Sequence, residues 1–185
     1  MTTTLVLGGP RSGKSRHAEA LLSHHPQVTF VATHRAPDPG KDPDLATRVA
    51  RHQERRPKHW RTVETLDLTR ALLASRQPVL IDDLGGWLRG TLEEEMLWSH
   101  PHRARQLVED RLDELSVALR AVPFDIVTVT DDPSWARLPD SPAERLYVDL
   151  LAQVNHRVSA VSMRVYAAMA GRVLDLSASP VVGVV

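Results

Sequence analysis

The chain contains no cysteine, few aromatic residues and only three lysines, Lys14, Lys41 and Lys58. The lack of cysteine excludes disulfides, thiolate catalysis and cysteine-ligated zinc, and it fits a reducing cytoplasm. Basic and acidic residues balance, so no broad positive field predicts binding to nucleic acid or to an acidic membrane. The sequence also has no secretory n-region and no apolar run long enough to span a bilayer, so we expect a cytoplasmic protein.

The remaining composition is that of an ordinary globular protein, and its 185 residues suit a single domain spanning residues 1–185. Short apolar runs predict strands that alternate with helical patterns. We therefore predict an α/β fold of the P-loop NTPase type, with a mostly parallel sheet, helices on both faces and a C-terminal antiparallel strand or hairpin. The predicted strands are 3–7, 28–32, 62–64, 78–82, 124–129, 164–170 and 172–176; the predicted helices are 15–23, 44–55, 67–75, 87–98, 102–122 and 143–160.

The segment GGPRSGKS after the first predicted strand fits the pattern G-x-x-x-x-G-K-[ST]. Glycines allow the backbone to wrap around a phosphate, and the helix that follows directs its positive end at the anion. Lys14 can reach the β- and γ-phosphates, and Ser15 can ligate magnesium. The predicted nucleotide-binding residues here are Gly8, Gly9, Pro10, Arg11, Ser12, Gly13, Lys14 and Ser15. A glycine turn between a strand and a helix would be the alternative.

An acidic residue, Asp82, ends the apolar strand at 78–82. P-loop enzymes hold magnesium with a P-loop hydroxyl and an aspartate in this position. We therefore predict that Ser15 and Asp82 bind magnesium together with the nucleotide. The alternative is that Asp82 caps the next helix; the adjacent Asp83 is given no role.

A predicted helix at 44–55 carries Asp44, Arg48, His52 and Arg56 at intervals of four, which places them on one face. A solvated helix with internal salt bridges would explain this spacing. Alternatively, the imidazole of His52 could attack a nucleotide phosphorus while the arginines stabilise the developing charge. The other eight histidines show no metal-ligand spacing backed by carboxylates, so we expect no zinc site.

Four stretches resemble the bifunctional adenosylcobinamide kinase / adenosylcobinamide-phosphate guanylyltransferase family: GGPRSGKSRHAEALL at 8–22, VTFVAT at 28–33, TRVARHQERRPKHWRTVE at 47–64 and, more weakly, VLIDDLGGWL at 79–88. The resemblance implies that a nucleoside triphosphate, ATP or GTP, phosphorylates the aminopropanol hydroxyl of adenosylcobinamide. GTP then guanylylates a histidine, and the GMP passes to the new phosphate. The partners it implies are a nucleotide, a corrinoid and other copies of the same chain, assembled as a trimer.

Residue by residue, the resemblance makes His52 the guanylylated residue, with Lys14 as the second catalytic residue. The further nucleotide-binding residues that it implies are Ala32, Thr33, His34, Gln53, Glu54, Arg55, Arg56, Glu64 and Asp82.

The second half departs from the family's pattern. Asp131 to Trp135 replace a usual Asn-Glu-Val-Gly run, and Arg89-Gly90 stand where a Thr-Asn pair is usual. Segments 83–90 and 131–142 therefore bear on the acceptor more than on the nucleotide. Two other functions stay open from the sequence: a P-loop kinase of another small alcohol, and a nucleotide-binding protein that has lost the transferase activity.

Overall fold

A seven-stranded sheet forms the centre of the computed structural model, which describes residues 1–33, 47, 50, 54, 56–135, 137 and 139–183. The strands are β1 (Thr3–Gly8), β2 (Thr29–Ala32), β3 (Arg61–Glu64), β4 (Val79–Asp82), β5 (Ile126–Thr130), β6 (Arg164–Met169) and β7 (Arg172–Asp175). Their spatial order is β3-β2-β4-β5-β1-β6-β7, and every neighbouring pair is parallel except β6 and β7. This confirms the predicted, mostly parallel sheet.

The antiparallel pair is a tight hairpin, as predicted around Gly171. Both central residues of its turn have positive φ, 51° at Ala170 and 72° at Gly171. This combination is typical of a type I′ turn, whose twist matches that of the flanking strands. The hairpin therefore ends the sheet with β7 as its edge strand.

Helices cover both faces of the sheet, which confirms the predicted fold class. They are α1 (Lys14–Leu22), α2 (Leu68–Ala74), α3 (Leu84–Glu94), α4 (Pro101–Ala121) and α5 (Pro142–Val161). Consecutive strand residues point to opposite faces. Val6 accordingly packs in the cluster that contains α1 residues, whereas Leu5 packs in the larger cluster formed with α2 to α5. No helix in the described ranges is long and apolar enough to cross a membrane.

The helix predicted at 87–98 is wrong at both ends, since α3 begins at Leu84 and ends at Glu94. Its early start has a local cause: the Asp83 carboxylate accepts a hydrogen bond of 2.6 Å from the Gly86 N–H, which is an N-cap. Gly85 and Gly86 disfavour helix in isolation, so they hide this start in the sequence. At the other end the backbone turns away at Met96, where φ is 53°.

The predicted helix at 44–55 lies mostly outside the described residues. Its three described members, Thr47, Ala50 and Glu54, are helical and exposed. The loop predicted at 36–43 lies wholly outside the described part of the chain.

Candidate functional site

The loop at 8–15 joins β1, which lies between β5 and β6, to α1. Gly13 has φ of 98° and Arg11 has φ of 59°, so the backbone turns sharply before α1 begins at Lys14. The Ser12 N–H donates to the Gly9 carbonyl at 3.2 Å and closes the turn. The first turn of α1 thus lies beside the carboxyl end of β1, where parallel sheets bind ligands, with its N–H groups directed towards the loop.

Close packing explains the first glycine of the loop. A Cβ atom at Gly8 would lie 2.4 Å from the Ala168 carbonyl oxygen on neighbouring β6 and 2.8 Å from Ser12 Oγ. Any larger residue would push the loop away from the sheet. The position of the phosphate-binding backbone therefore depends on glycine here.

Lys14 points into the loop and across to β5. Its Nζ donates to the Gly9 carbonyl at 3.4 Å and forms an ion pair of 2.7 Å with Asp131 Oδ1. Asp131 directly follows β5, so the end of this strand contributes a carboxylate to the loop. Sequence reasoning gave Asp131 no role, although it ends an apolar strand as Asp82 does.

The two predicted magnesium ligands are neighbours. Ser15 Oγ donates to Asp82 Oδ1 at 3.4 Å, joining the first turn of α1 to the end of β4. A hydroxyl and a carboxylate oxygen at this separation are hard oxygen donors of the kind that magnesium prefers. The residues therefore fit the predicted ion.

Thr33, predicted to contact nucleotide, is buried and holds two strand ends together. Its Oγ1 donates to the Asp83 carbonyl at 2.7 Å and accepts from the Asp83 N–H at 3.0 Å. The hydroxyl is thus engaged by the backbone after β4. If Thr33 contacts a ligand, it therefore does so through its backbone and not through its hydroxyl.

A cavity of about 850 Å³ opens beside the carboxyl ends of β2 and β3. Its wall includes the predicted residues Ala32, Thr33 and Glu64. Four further carboxylates and two guanidinium groups also line it: Asp67, Glu93, Glu94, Glu95, Arg89 and Arg111. The charged groups of the cavity are therefore mainly acidic, which suits a ligand that donates hydrogen bonds.

Arg56 lies on the α1 face of the sheet. Its guanidinium carbon is 3.7 Å from the centre of the Phe30 ring, and Nη1 donates to Thr62 Oγ1 at 3.4 Å. A cation stacked in this way is held in position. Of the other residues predicted to act on the nucleotide near Arg56, Glu54 is exposed. Three more, His52, Gln53 and Arg55, lie outside the described residues, and so does His34.

The divergent segment at 83–90 lies on α3, and its Arg89 contacts residues of α5. Arg89 stacks on Tyr147, 4.5 Å from the ring centre, and lies 3.5 Å from Glu144. Burial raises the pKa of Tyr147 to about 12; Arg89 lowers it, and the nearby carboxylates of Asp83 and Asp131 add to the rise. The phenol therefore stays protonated and keeps donating to the Gly85 carbonyl at 3.2 Å.

At the opposite end of the sheet, His25 Nε2 lies 3.1 Å from Asp125 Oδ2, and the His24 ring is tilted by 39° against that of His25, with 4.0 Å between their centres. Burial alone would raise the pKa of Asp125, but hydrogen bonds from His25 and the Thr2 N–H, with the charge of the chain's amino group, lower it. These interactions tie the end of α1 to the start of β5. The sequence could not reveal this tie, because its members are 100 residues apart.

These features define a P-loop α/β protein of the kinase type. They are a glycine-rich loop between β1 and α1, a lysine inside that loop and a serine–aspartate pair beside it. The chain belongs to the CobU family, described as cobinamide kinase / cobinamide phosphate guanyltransferase, whose pattern matches residues 4–176.

Two curated relatives cover nearly the whole chain. The bifunctional adenosylcobalamin biosynthesis protein CobU of Salmonella typhimurium is 33% identical over 178 residues, which are 90% of this chain and 95% of that protein. Protein CobP of Pseudomonas aeruginosa, with the same description, is 32% identical over 181 residues, 95% of this chain and 98% of its own. Among solved structures, the flagellar accessory protein FlaH of Methanocaldococcus jannaschii is similar with a TM-score of 0.41 and 10% identity, covering 93% of this chain and 74% of that one.

Proposed function

We propose that this chain is a bifunctional enzyme of adenosylcobalamin biosynthesis. It phosphorylates the aminopropanol hydroxyl of adenosylcobinamide with ATP or GTP, and it then transfers GMP from GTP to the new phosphate to give adenosylcobinamide-GDP. The observation that carries the proposal is the P-loop with Lys14 beside the Ser15–Asp82 pair, in a chain that belongs to the cobinamide kinase / cobinamide phosphate guanyltransferase family.

In the kinase reaction, the backbone N–H groups of residues 8–15 and the start of α1 hold the triphosphate. Lys14 binds the β- and γ-phosphate oxygens as a point charge. Ser15 and Asp82 would hold magnesium, which neutralises phosphate charge when it is bound. The alcohol oxygen bonds to the γ-phosphorus, and the nucleoside diphosphate leaves.

In the transferase reaction, an imidazole nitrogen of His52 bonds to the α-phosphorus of GTP, and pyrophosphate leaves. A phosphate oxygen of adenosylcobinamide phosphate then bonds to the same phosphorus, and the P–N bond breaks. The family resemblance supports His52 for this role. The guanidinium of Arg56, held over Phe30, supports charge stabilisation on the α1 face of the sheet.

The acidic cavity next to β2 and β3 supports a site for the guanosine part of GTP. Glu64, Ala32 and Thr33 all line it. A carboxylate accepts hydrogen bonds only, so Glu64 matches the ring N–H and amino group of guanine. The corresponding edge of adenine carries an amino group beside an unprotonated ring nitrogen, so it offers one donor where guanine offers two.

We further propose a single cytoplasmic domain over residues 1–185 that assembles as a homo-oligomer, a trimer. The match over residues 4–176 supports one domain. Val173 and Leu174 on the edge strand β7 are 41% and 51% exposed, which supports contact between copies.

Incubation of the protein with GTP labelled at the α-phosphorus tests the transferase half. We expect a GMP adduct that survives denaturation in alkali, is cleaved by acid and maps by mass spectrometry to His52. His52→Ala should abolish it, whereas substitution of the exposed His102 to alanine should leave it intact. Failure of the wild-type chain to form the adduct would refute the transferase function.

The kinase half is tested separately with adenosylcobinamide and a nucleotide labelled at the γ-phosphorus. Lys14→Met removes the charge that binds the phosphates, and we expect turnover to fall by about 100-fold or more, the usual loss when such a charge is removed. Turnover by Lys14→Met at the wild-type rate would show that Lys14 is not part of the site.

A further inference from the structure

Asp131 is the one carboxylate that contacts Lys14 among the described residues. The Lys14 side chain is only 13% exposed, and its Nζ lies 2.7 Å from Asp131 Oδ1. That oxygen is buried and has no hydrogen-bond partner in the described part of the chain apart from this ion pair. Asp131 therefore has an acceptor atom aimed at the place where the P-loop lysine meets phosphate.

The backbone of Asp131 is fixed at the end of β5 by a polar network. Its carbonyl accepts from Asn155 Nδ2 on α5 at 2.9 Å, and Thr130 Oγ1 donates to Asn155 Oδ1 at 2.7 Å. The strand on one side and α5 on the other thus hold the residue. When a ligand enters, Lys14 can change partners more readily than Asp131 can move away.

A bound triphosphate would compete with Asp131 for Lys14. Charge-assisted contacts from one ammonium place its two acceptor oxygens within about 6 Å of each other. The Asp131 carboxylate would then lie beside the γ-phosphate, on the β5 side of the loop. Asp82, at the end of the neighbouring strand β4, faces Ser15 instead.

We propose that Asp131 is the general base of the kinase reaction, an inference that rests on the proposed function. The proton of the acceptor alcohol passes to Asp131 Oδ1 as the alcohol oxygen forms its bond to the γ-phosphorus. The bond from the γ-phosphorus to the β–γ bridging oxygen breaks, and the nucleoside diphosphate leaves with that electron pair. Asp131 afterwards releases its proton to water.

The guanylyl transfer needs no such base at this position. Its nucleophiles are an imidazole and a phosphate that is already ionised, and it takes place at the α-phosphorus. A base at the γ-phosphate therefore serves the kinase reaction only. Loss of that base should lower kinase activity alone, whereas a general effect on nucleotide binding would lower both reactions.

Asp131→Asn keeps the shape of the side chain and removes its basicity. We expect kcat for phosphorylation of adenosylcobinamide to fall by about 100- to 10,000-fold, the range for loss of a general base. The KM for the nucleotide should stay the same or fall, because a negative charge near the phosphates is removed. Formation of the GMP adduct from GTP should continue at close to the wild-type rate, which also shows that the variant folds.

Asp132→Asn is the matched control. Asp132 is the next residue, and its Oδ1 accepts from the Ser134 N–H and Oγ at 3.0 and 2.6 Å. We expect this variant to keep its kinase kcat. Asp131→Glu, which retains a carboxylate, should keep more kinase activity than Asp131→Asn.

Three results would overturn the proposal: a kinase kcat of Asp131→Asn within about threefold of wild type, an equal loss in Asp132→Asn, or loss of both reactions in Asp131→Asn. The last would show that Asp131 only positions Lys14 or supports the fold. Absence of kinase activity in the wild-type chain would instead refute the proposed function, so the two failures are distinguishable.

Discussion

His17 lies on α1, one turn beyond Lys14, with the edge of its ring against Tyr166 at 5.2 Å between centres. Its Nε2 is buried without a hydrogen-bond partner in the described ranges, and burial lowers the pKa of His17 from 6.5. The imidazole of His17 thus binds a proton more readily in the unfolded chain than in the folded one. The free energy of unfolding therefore falls as the pH drops through 6.5 and below. We expect His17→Phe to lose less stability than wild type between about pH 7.5 and about pH 5.5, as measured by urea unfolding. An identical loss in both proteins would contradict this.

Gly8 and Gly9 are adjacent but differ in the space around them. A Cβ at Gly8 would lie 2.4 Å from the Ala168 carbonyl oxygen, whereas one at Gly9 meets no heavy atom within 4 Å. We expect Gly8→Ala to lower the free energy of unfolding by about 1–3 kcal/mol, the usual cost of overpacking. Gly9→Ala should cost much less, and equal urea midpoints for the two variants would show that β6 does not confine the loop.

The helix α3 depends on its cap. The Asp83 carboxylate binds the Gly86 N–H, and the two glycines of the first turn contribute little helix propensity of their own. We expect Asp83→Ala to lower the free energy of unfolding by about 1 kcal/mol, while Asp83→Asn keeps the acceptor oxygen and most of the stability. Both variants retain the backbone groups that bind Thr33. Equal stability of the alanine variant and wild type would refute this role.

Which elements could be predicted depends on how local their signals are. Apolar strands such as Val79–Asp82, the P-loop and the hairpin at Gly171 follow from neighbouring residues, and the structure confirms them. The start of α3 required knowledge of a side chain's hydrogen bond, and glycines obscured it. Helix periodicity nevertheless located α4 and α5 to within a few residues.

Within the site, the pairing of Ser15 with Asp82 could be expected, because P-loop chemistry specifies both residues. The contact of Lys14 with Asp131 could not, because the two residues are more than 100 positions apart and meet only because β5 lies beside β1. The role of His52 stays a prediction.

For the molecule as a whole, the proposed trimer is tested by light scattering coupled to size-exclusion chromatography. The expected mass is about three times the 20.6 kDa of one chain. Leu174→Glu places a charge on the exposed edge strand β7, and we expect it to reduce the oligomer fraction. A wild-type mass equal to one chain would rule the oligomer out.

The central claim is that one chain carries out two successive transfers on the same corrinoid. The most direct measurement is incubation of the purified protein with adenosylcobinamide, GTP and magnesium, followed over time by mass spectrometry of the corrinoid. We predict that adenosylcobinamide phosphate appears first and is then converted to adenosylcobinamide-GDP, and that His52→Ala stops at the phosphate. An unchanged corrinoid, or accumulation of the phosphate alone by the wild-type chain, would contradict the claim.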